Sequence, residues 1–146
     1  MGLTALIDYD SGNLHSARKA FQRMAAEVGA GEVTVTADPD VVARADRLVL
    51  PGDGAFPACR AALSAVPGLE EALREAVERR AVPFLGICVG MQMLATTGHE
   101  YRQTPGLGWI GGAVTRFAAP GLKVPHMGWN DLVIDHRAHG PHPVVD

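Results

Sequence analysis

The sequence predicts an α/β fold, a doubly wound and mostly parallel sheet flanked by helices on both faces. Three observations carry this expectation. Short apolar runs alternate with amphipathic stretches over the first ninety residues, the runs end in Gly- or Pro-containing turns, and consecutive units are of βα size. With 146 residues, 47% hydrophobic and 20% charged, the chain has the length and balance of one globular domain able to bury a layered core without metal or disulfide staples.

Each element follows from its residues. Leu3 to Asp8 is an apolar run ending in the turn-forming Tyr9-Asp10-Ser11-Gly12, hence a buried strand and a loop. Leu14, Ala17, Phe21, Met24 and Val28 recur at steps of three and four opposite Arg18, Lys19, Gln22 and Arg23, which predicts a helix closed by Gly29. Val33 to Thr36 reads as the second strand. Asp38-Pro39 then supplies an N-cap and a first-turn proline for a short helix through Ala45.

Arg47 to Leu50 is the third strand, running into Pro51-Gly52-Asp53-Gly54 and a helix with Phe56, Cys59 and Leu63 on one face. After Pro67-Gly68, a further helix places Leu69, Leu73, Ala76 and Val77 inside and Glu70, Glu71, Arg74, Glu78 and Arg79 outside. Val82 to Ile87 is the fourth strand, followed by Cys88 and a helix start over Val89 to Leu94. Past Gly98, Leu107 to Phe117 and Lys123 to Ile134 are Gly-rich and β-like, and suggest an added antiparallel segment. Strands joined by helical crossovers place chemistry at their carboxyl ends.

Composition excludes several functions. The net charge of −3 is spread over interspersed acids and bases without a basic stripe, which argues against nucleic-acid binding. No apolar run has the length of a membrane span and the start lacks the positive flank of a signal peptide, so a cytoplasmic protein is expected. Two cysteines without CxxC spacing read as free thiols. His136, His139 and His142 are spaced by three, but Gly140-Pro141 breaks any helix that would align them, so a loop is expected and no metal site.

Gly86-Ile87-Cys88-Val89-Gly90 between a strand and a helix start has the form of a nucleophile elbow, in which small flanking residues permit a strained turn that lifts the nucleophile out of the sheet. A helix N-terminus beside Cys88 would favour the thiolate. Cys59 shares a helix face with Phe56 and Leu63 and is expected in the core. If Cys88 attacks a carbonyl, the Val89 N–H is one oxyanion donor, and the loop with Gly52 and Asp53 is the natural source of a second.

Ile7-Asp8-Tyr9-Asp10-Ser11-Gly12-Asn13-Leu14, Leu50-Pro51-Gly52-Asp53-Gly54-Ala55-Phe56, Pro83 to Gln92, and Lys123-Val124-Pro125-His126-Met127-Gly128-Trp129-Asn130 together resemble the glutaminase subunits of imidazole glycerol phosphate synthases, a family of class I glutamine amidotransferases. The Cys88 block is common to class I amidotransferases, whereas the second and fourth blocks point to this family in particular. The resemblance implies that Cys88 attacks the glutamine side-chain amide, releasing ammonia and leaving a glutamyl thioester that water hydrolyses. It implies further that amides of Val89 and the Gly52–Asp53 loop hold the oxyanion, that Gln92 touches the substrate, and that Glu100 binds its α-amino group.

The ammonia would pass to a (β/α)8-barrel cyclase in a heterodimer, giving imidazole glycerol phosphate and aminoimidazole carboxamide ribonucleotide in histidine biosynthesis. Asn13, His126, Met127 and Trp129 match positions near that interface, and no cofactor is implied. Alternatives are another class I amidotransferase glutaminase, or a truncated, inactive module that still docks a partner. Two departures stand out. The family triad ends in a His and a Glu two residues apart, and none of His15, His99, His126, His136, His139 and His142 has an acid two positions on. The expectation is therefore one amidotransferase domain over 1–146 that lacks its C-terminal part and is inactive alone. Asp53 stands where many relatives have an apolar residue, so its carboxylate is expected to turn away from a developing oxyanion.

Overall fold

A computed structural model describes residues 2–131, 133, 134 and 140. The chain forms two compact units, 1–116 and 117–146.

The first unit contains β1 (Leu3–Ile7), α1 (Leu14–Val28), β2 (Glu32–Thr36), α2 (Pro39–Arg44), β3 (Arg47–Leu50), α3 (Phe56–Ala65), α4 (Leu69–Arg74) and β4 (Phe84–Gly86). These are followed by α5 (Val89–Gln92), β5 (Ala95–Gly98), β6 (Thr104–Pro105) and β7 (Ile110–Val114). Helix α4 runs on into a π-helical turn, Glu75–Arg79. Strands β1 to β4 form a parallel sheet of order β2-β1-β3-β4, which is the predicted fold class.

Side-chain alternation along the strands builds a core on each face. Ala5, Ile7, Leu48 and Leu50 point to one face and pack with Val42 of α2, Phe56, Cys59 and Leu63 of α3, and Leu69 and Leu73 of α4. Leu6, Val33 and Val49 point to the other face, where Ala17, Phe21 and Ala25 of α1 meet them. Caps agree with the sequence at α2, where Asp38 Oδ1 accepts the Asp40 N–H at 2.9 Å and Pro39 opens the helix.

The expected face of α1 is corrected at its C-terminal half. Met24 and Val28 are 52% and 68% exposed, while Ala25 is buried. From Phe21 the stripe advances by four residues to Ala25, which keeps it over Val33, whereas a step of three to Met24 turns it off the sheet.

The region after Cys88 also differs from expectation. The helix ends at Gln92, and Ala95–Gly98 is a strand, since Thr96 and Thr97 are β-branched and Gly98 lies flat against the Phe56 ring. In the small sheet β6-β5-β7, β5 pairs antiparallel with β6 but parallel with β7, so the expected antiparallel segment is only half antiparallel. Leu107 to Phe117 is strand only over Ile110–Val114.

The second unit has no helix or strand among its described residues, so the described residues of Lys123 to Ile134 do not form the β-like segment expected. Within it, Leu122 N–H donates to the Ala119 carbonyl at 3.1 Å, and Asn130 Nδ2 lies 2.7 Å from His126 Nε2. His136, His139 and His142, read above as a loop, lie outside the described residues. No helix among the described residues is long and apolar enough to cross a membrane.

Candidate active site

The carboxyl ends of β1, β3 and β4 are adjacent because the three strands are parallel neighbours, and each runs directly into a loop carrying predicted site residues. At the end of β4, Cys88 has φ 55° and ψ −118°, a backbone conformation that side chains rarely adopt. This is the strained turn expected of an elbow. It leaves Cys88 exposed, while Cys59 is 1% exposed.

The small residues of the elbow are there for contact. A Cβ on Gly90 would overlap the Leu50 carbonyl oxygen, and one on Gly86 would lie 2.5 Å from Met91 Cα. The elbow is thereby pressed onto the end of β3, and the Ile87 N–H donates to the Leu50 carbonyl at 2.9 Å. Helix α5 has a single turn, so few aligned peptides stand behind Cys88, and the expected macrodipole contribution shrinks to the local N–H groups. The Val89 N–H makes no hydrogen bond among the described residues, and Val89 itself is 4% exposed.

The Pro51–Gly54 loop meets the elbow at Gly52, where an added Cβ would lie 2.5 Å from Gly90 N and 2.9 Å from Tyr9 Oη. Gly52 is thus set against Val89 and Gly90 of the Cys88 elbow, and Asp53 follows it in the same loop, bonded to Ser11 and Cys59. Tyr9 Oη donates to the Pro51 carbonyl at 2.5 Å, and Tyr9 is 2% exposed. Burial first, and then the neighbouring Cys59, raise the Tyr9 phenol well above the ordinary tyrosine range.

Asp53 differs from the expected donor geometry. Its N–H donates to Ser11 Oγ at 3.1 Å, and its carbonyl lies 3.0 Å from the same oxygen. Its carboxylate Oδ1 accepts the Gly54 N–H of its own loop at 2.9 Å. The core reading of Cys59 describes its burial but misses its bonds, since its Sγ donates to the Asp53 carbonyl at 3.1 Å and lies 3.2 Å from Ser11 Oγ.

Gln92 closes α5 with its N–H on the Cys88 carbonyl at 3.1 Å. The Glu100 carboxylate accepts the Phe56 N–H at 2.7 Å, so it caps α3. Asn13 caps α1, its Oδ1 taking the Ser16 N–H at 3.1 Å. Among the described residues no histidine hydrogen-bonds to Cys88, and no group of three or more His, Cys, Asp or Glu gathers to hold a metal ion. In the second unit His126 is exposed, and Met127 and Trp129 are 87% and 103% exposed.

Tyr9 and Ser11 are the residues that the sequence reading passed over, taking them for turn formers. Their place at the carboxyl end of a parallel strand was the available signal. A cleft of about 540 Å³ between α1 and β2 is lined by Arg18, Gln22, Glu32 and Thr34 among others, and by none of the predicted site residues.

The imidazole glycerol phosphate synthase subunit HisH of Cereibacter sphaeroides is 68% identical over 145 residues, covering 98% of this chain and 66% of the relative. The HisH subunit of Ruegeria pomeroyi is 68% identical over 146 residues, covering 99% and 67%, and that of Rhodospirillum rubrum is 56% identical over 138 residues, covering 92% and 64%. The chain thus spans about two thirds of the length of the curated relatives it matches. The family model "Glutamine amidotransferase class-I" matches residues 5–144. With an elbow cysteine on a parallel sheet and a match over nearly its whole length, the chain belongs to the class I glutamine amidotransferase family.

Proposed function

We propose that this chain carries the nucleophile of a glutaminase that supplies ammonia to a cyclase partner in histidine biosynthesis. The observation that carries the reading is Cys88, exposed at positive φ between a parallel strand and a helix start, with the Gly52 loop packed against its elbow. The names of the relatives, all subunits of imidazole glycerol phosphate synthase, support the choice of substrate and partner.

In this reading the Cys88 thiolate attacks the side-chain amide carbon of glutamine, and the Val89 N–H donates a hydrogen bond to the oxygen on which negative charge develops. The carbon–nitrogen bond breaks, ammonia leaves with the proton it requires, and water cleaves the glutamyl thioester to glutamate. Thiol deprotonation and leaving-group protonation need a base and an acid. Gln92 and Glu100 remain the side chains proposed to hold the substrate. Asn13, His126, Met127 and Trp129 are proposed to face the partner, a (β/α)8-barrel cyclase, in a cytoplasmic heterodimer. The exposure of Met127 and Trp129 favours such a surface over a core role for them.

The test is alkylation by a glutamine-like chloroketone followed by peptide mapping. One label per chain is expected, at Cys88, with protection by free glutamine and with Cys59 spared. Labelling of Cys59 first, or labelling that glutamine does not slow, would overturn the reading.

A further inference from the structure

We propose that Arg74 and Glu78 are positioning residues for Cys88, bracing through Leu107 and Trp109 the two short elements that flank the nucleophile. The effect on catalysis rests on the glutaminase reading of Cys88, whereas the brace itself does not.

The elbow is strained, and its own elements hold it weakly. Cys88 keeps φ 55° and ψ −118°, and a backbone in such a conformation persists only where its surroundings over-determine it. Strand β4 before it has three residues and pairs with β3 alone among the described residues, while α5 after it has four. A helix of one turn gains little from its own hydrogen bonds.

Both elements are gripped from the end of α4. Arg74 Nη2 donates to the Leu107 carbonyl at 3.2 Å, and the Leu107 N–H donates to the carbonyl of Met93, the buried C-cap of α5, at 2.7 Å. This first leg ends on the helix after Cys88. Trp109 Nε1 donates to Glu78 Oε1 at 2.7 Å, and the Trp109 ring meets the Phe84 ring edge-on with centroids 5.2 Å apart. This second leg ends on the strand before Cys88. The two are joined, because Arg74 Nη1 donates to the same Glu78 oxygen at 2.7 Å. Glu70, whose oxygens both lie 2.9 Å from Arg60 Nη2, steadies Arg74 from the other side at 3.3 Å. Trp109 first, and then Arg74, lower the Glu78 carboxyl, so it meets both as an anion. Glu78 also lies in the π-helical turn, a rare feature found mostly at functional sites.

Among the described contacts neither Arg74 nor Glu78 bonds to Cys88 or Val89, so their action passes through Leu107 and Trp109. With either leg loosened, Cys88 can relax towards an ordinary φ, which turns its Sγ and the Val89 N–H away from a shared carbonyl. The thiol stays accessible but is no longer aimed. The signature is slower attack on a bound carbonyl at unchanged access to the sulfur.

The experiment uses the intact chain and three readouts: amide hydrogen exchange at Leu107, Cys88 alkylation by the glutamine-like chloroketone, and Cys88 alkylation by iodoacetamide. Arg74→Met keeps the aliphatic stem and removes the donors. It should speed exchange at Leu107 about tenfold, with exchange at Leu6 of β1 unchanged. The maximal chloroketone rate should fall about tenfold while the half-saturating concentration stays within about twofold. The iodoacetamide rate should also stay within about twofold, since that reagent needs only an accessible thiolate. Glu78→Ala should slow the chloroketone likewise, and Glu78→Gln, which keeps an acceptor for the Trp109 N–H, should remain within about threefold of the unsubstituted chain. Arg79→Ala breaks an exposed ion pair with Glu75 in the same turn and should change none of the readouts.

Unchanged exchange at Leu107 in Arg74→Met, or exchange at Leu6 speeded as much as at Leu107, would overturn the brace, the latter by showing a general loss of the fold. A chloroketone rate that holds, or that falls together with the iodoacetamide rate, would overturn the positioning role, as would Glu78→Gln behaving like Glu78→Ala. Faster exchange at Leu107 in a protein whose Cys88 does not prefer the glutamine-like reagent over chloroacetone would uphold the brace and remove the glutaminase reading instead.

Discussion

The carboxylate of Glu100 accepts the backbone N–H of Phe56 at 2.7 Å, so a residue from the loop after β5 caps the first turn of α3 from 44 positions away. Ala55 stands at the N-cap of that helix and offers no side-chain acceptor, which leaves the role to Glu100. Glu100→Ala should therefore cost about 1 kcal/mol, the usual value of a lost cap. Glu100→Gln keeps a carbonyl oxygen for the Phe56 N–H and should hold most of the stability. The same variant removes the charge proposed to meet the substrate's α-ammonium, and should weaken protection of Cys88 by glutamine. Urea melts of both variants, with alkylation in the presence of glutamine, separate the roles. If Glu100→Gln were as destabilised as Glu100→Ala, the capping assignment would fail; unchanged protection would remove the substrate role.

Tyr9 gives a pH dependence whose sign is fixed by its burial. Burial, and then Cys59, hold the folded phenol above its unfolded value, which is about 10. Below that value both states keep the proton and Tyr9 contributes its full share of stability. As pH rises above it, the unfolded state loses the proton while the folded state retains it, so stability falls, by up to about 1.4 kcal/mol per pH unit from this group. Tyr9→Phe removes the titration and also the donor to the Pro51 carbonyl, at a cost of about 1–2 kcal/mol at neutral pH. The difference between the two proteins in urea midpoint should shrink from pH 9 towards pH 11. A gap that stays constant over that range would show that Tyr9 is not held protonated.

The features legible in sequence are those whose chemistry is local. Asp38-Pro39 announces its cap because both partners lie within the first turn of α2. Cys88 is legible because Gly86 and Gly90 flank it at fixed spacing and the strained turn needs only these neighbours. Features that depend on distant partners were missed. Ala25 replaces Met24 on the face of α1 because of where Val33 runs, and Ala95–Gly98 becomes a strand because it pairs with residues 104–114. The hold of Ser11 on Asp53 spans 42 residues and follows no local pattern; the sequence shows a turn-forming serine and an aspartate after a glycine, and their meeting requires the strand order.

Asp53→Val should leave Cys88 alkylation by the glutamine-like reagent within about threefold of the unsubstituted chain. The Asp53 N–H and carbonyl bonds to Ser11 belong to the backbone and survive the change. The lost Oδ1 contact to Gly54 N is exposed, so water can take its place. A fall of about 100-fold, the scale of a lost oxyanion donor, would mean that the carboxylate itself acts in the reaction.

Gly90→Ala tests whether the elbow is held by backbone contact or by side chains. The added methyl would overlap the Leu50 carbonyl oxygen and come within 3.1 Å of the Pro51 carbonyl carbon. Neither neighbour is a flexible side-chain end that could swing aside. The Leu50 carbonyl is also the acceptor of the Ile87 N–H, so displacing it breaks the bond that seats the elbow on β3. Overpacking against rigid backbone costs about 1–3 kcal/mol and sometimes more, and here a hydrogen bond is lost as well. We expect a destabilisation of about 3 kcal/mol or more, with slower alkylation of Cys88 because its φ of 55° depends on the seat. Gly111→Ala is the control, since a Cβ at that position of β7 meets nothing within 4 Å and should change stability by no more than about 0.5 kcal/mol. Equilibrium urea unfolding of the two variants decides the matter: a Gly90→Ala protein as stable as the Gly111→Ala control would show that the elbow can move off β3 without cost.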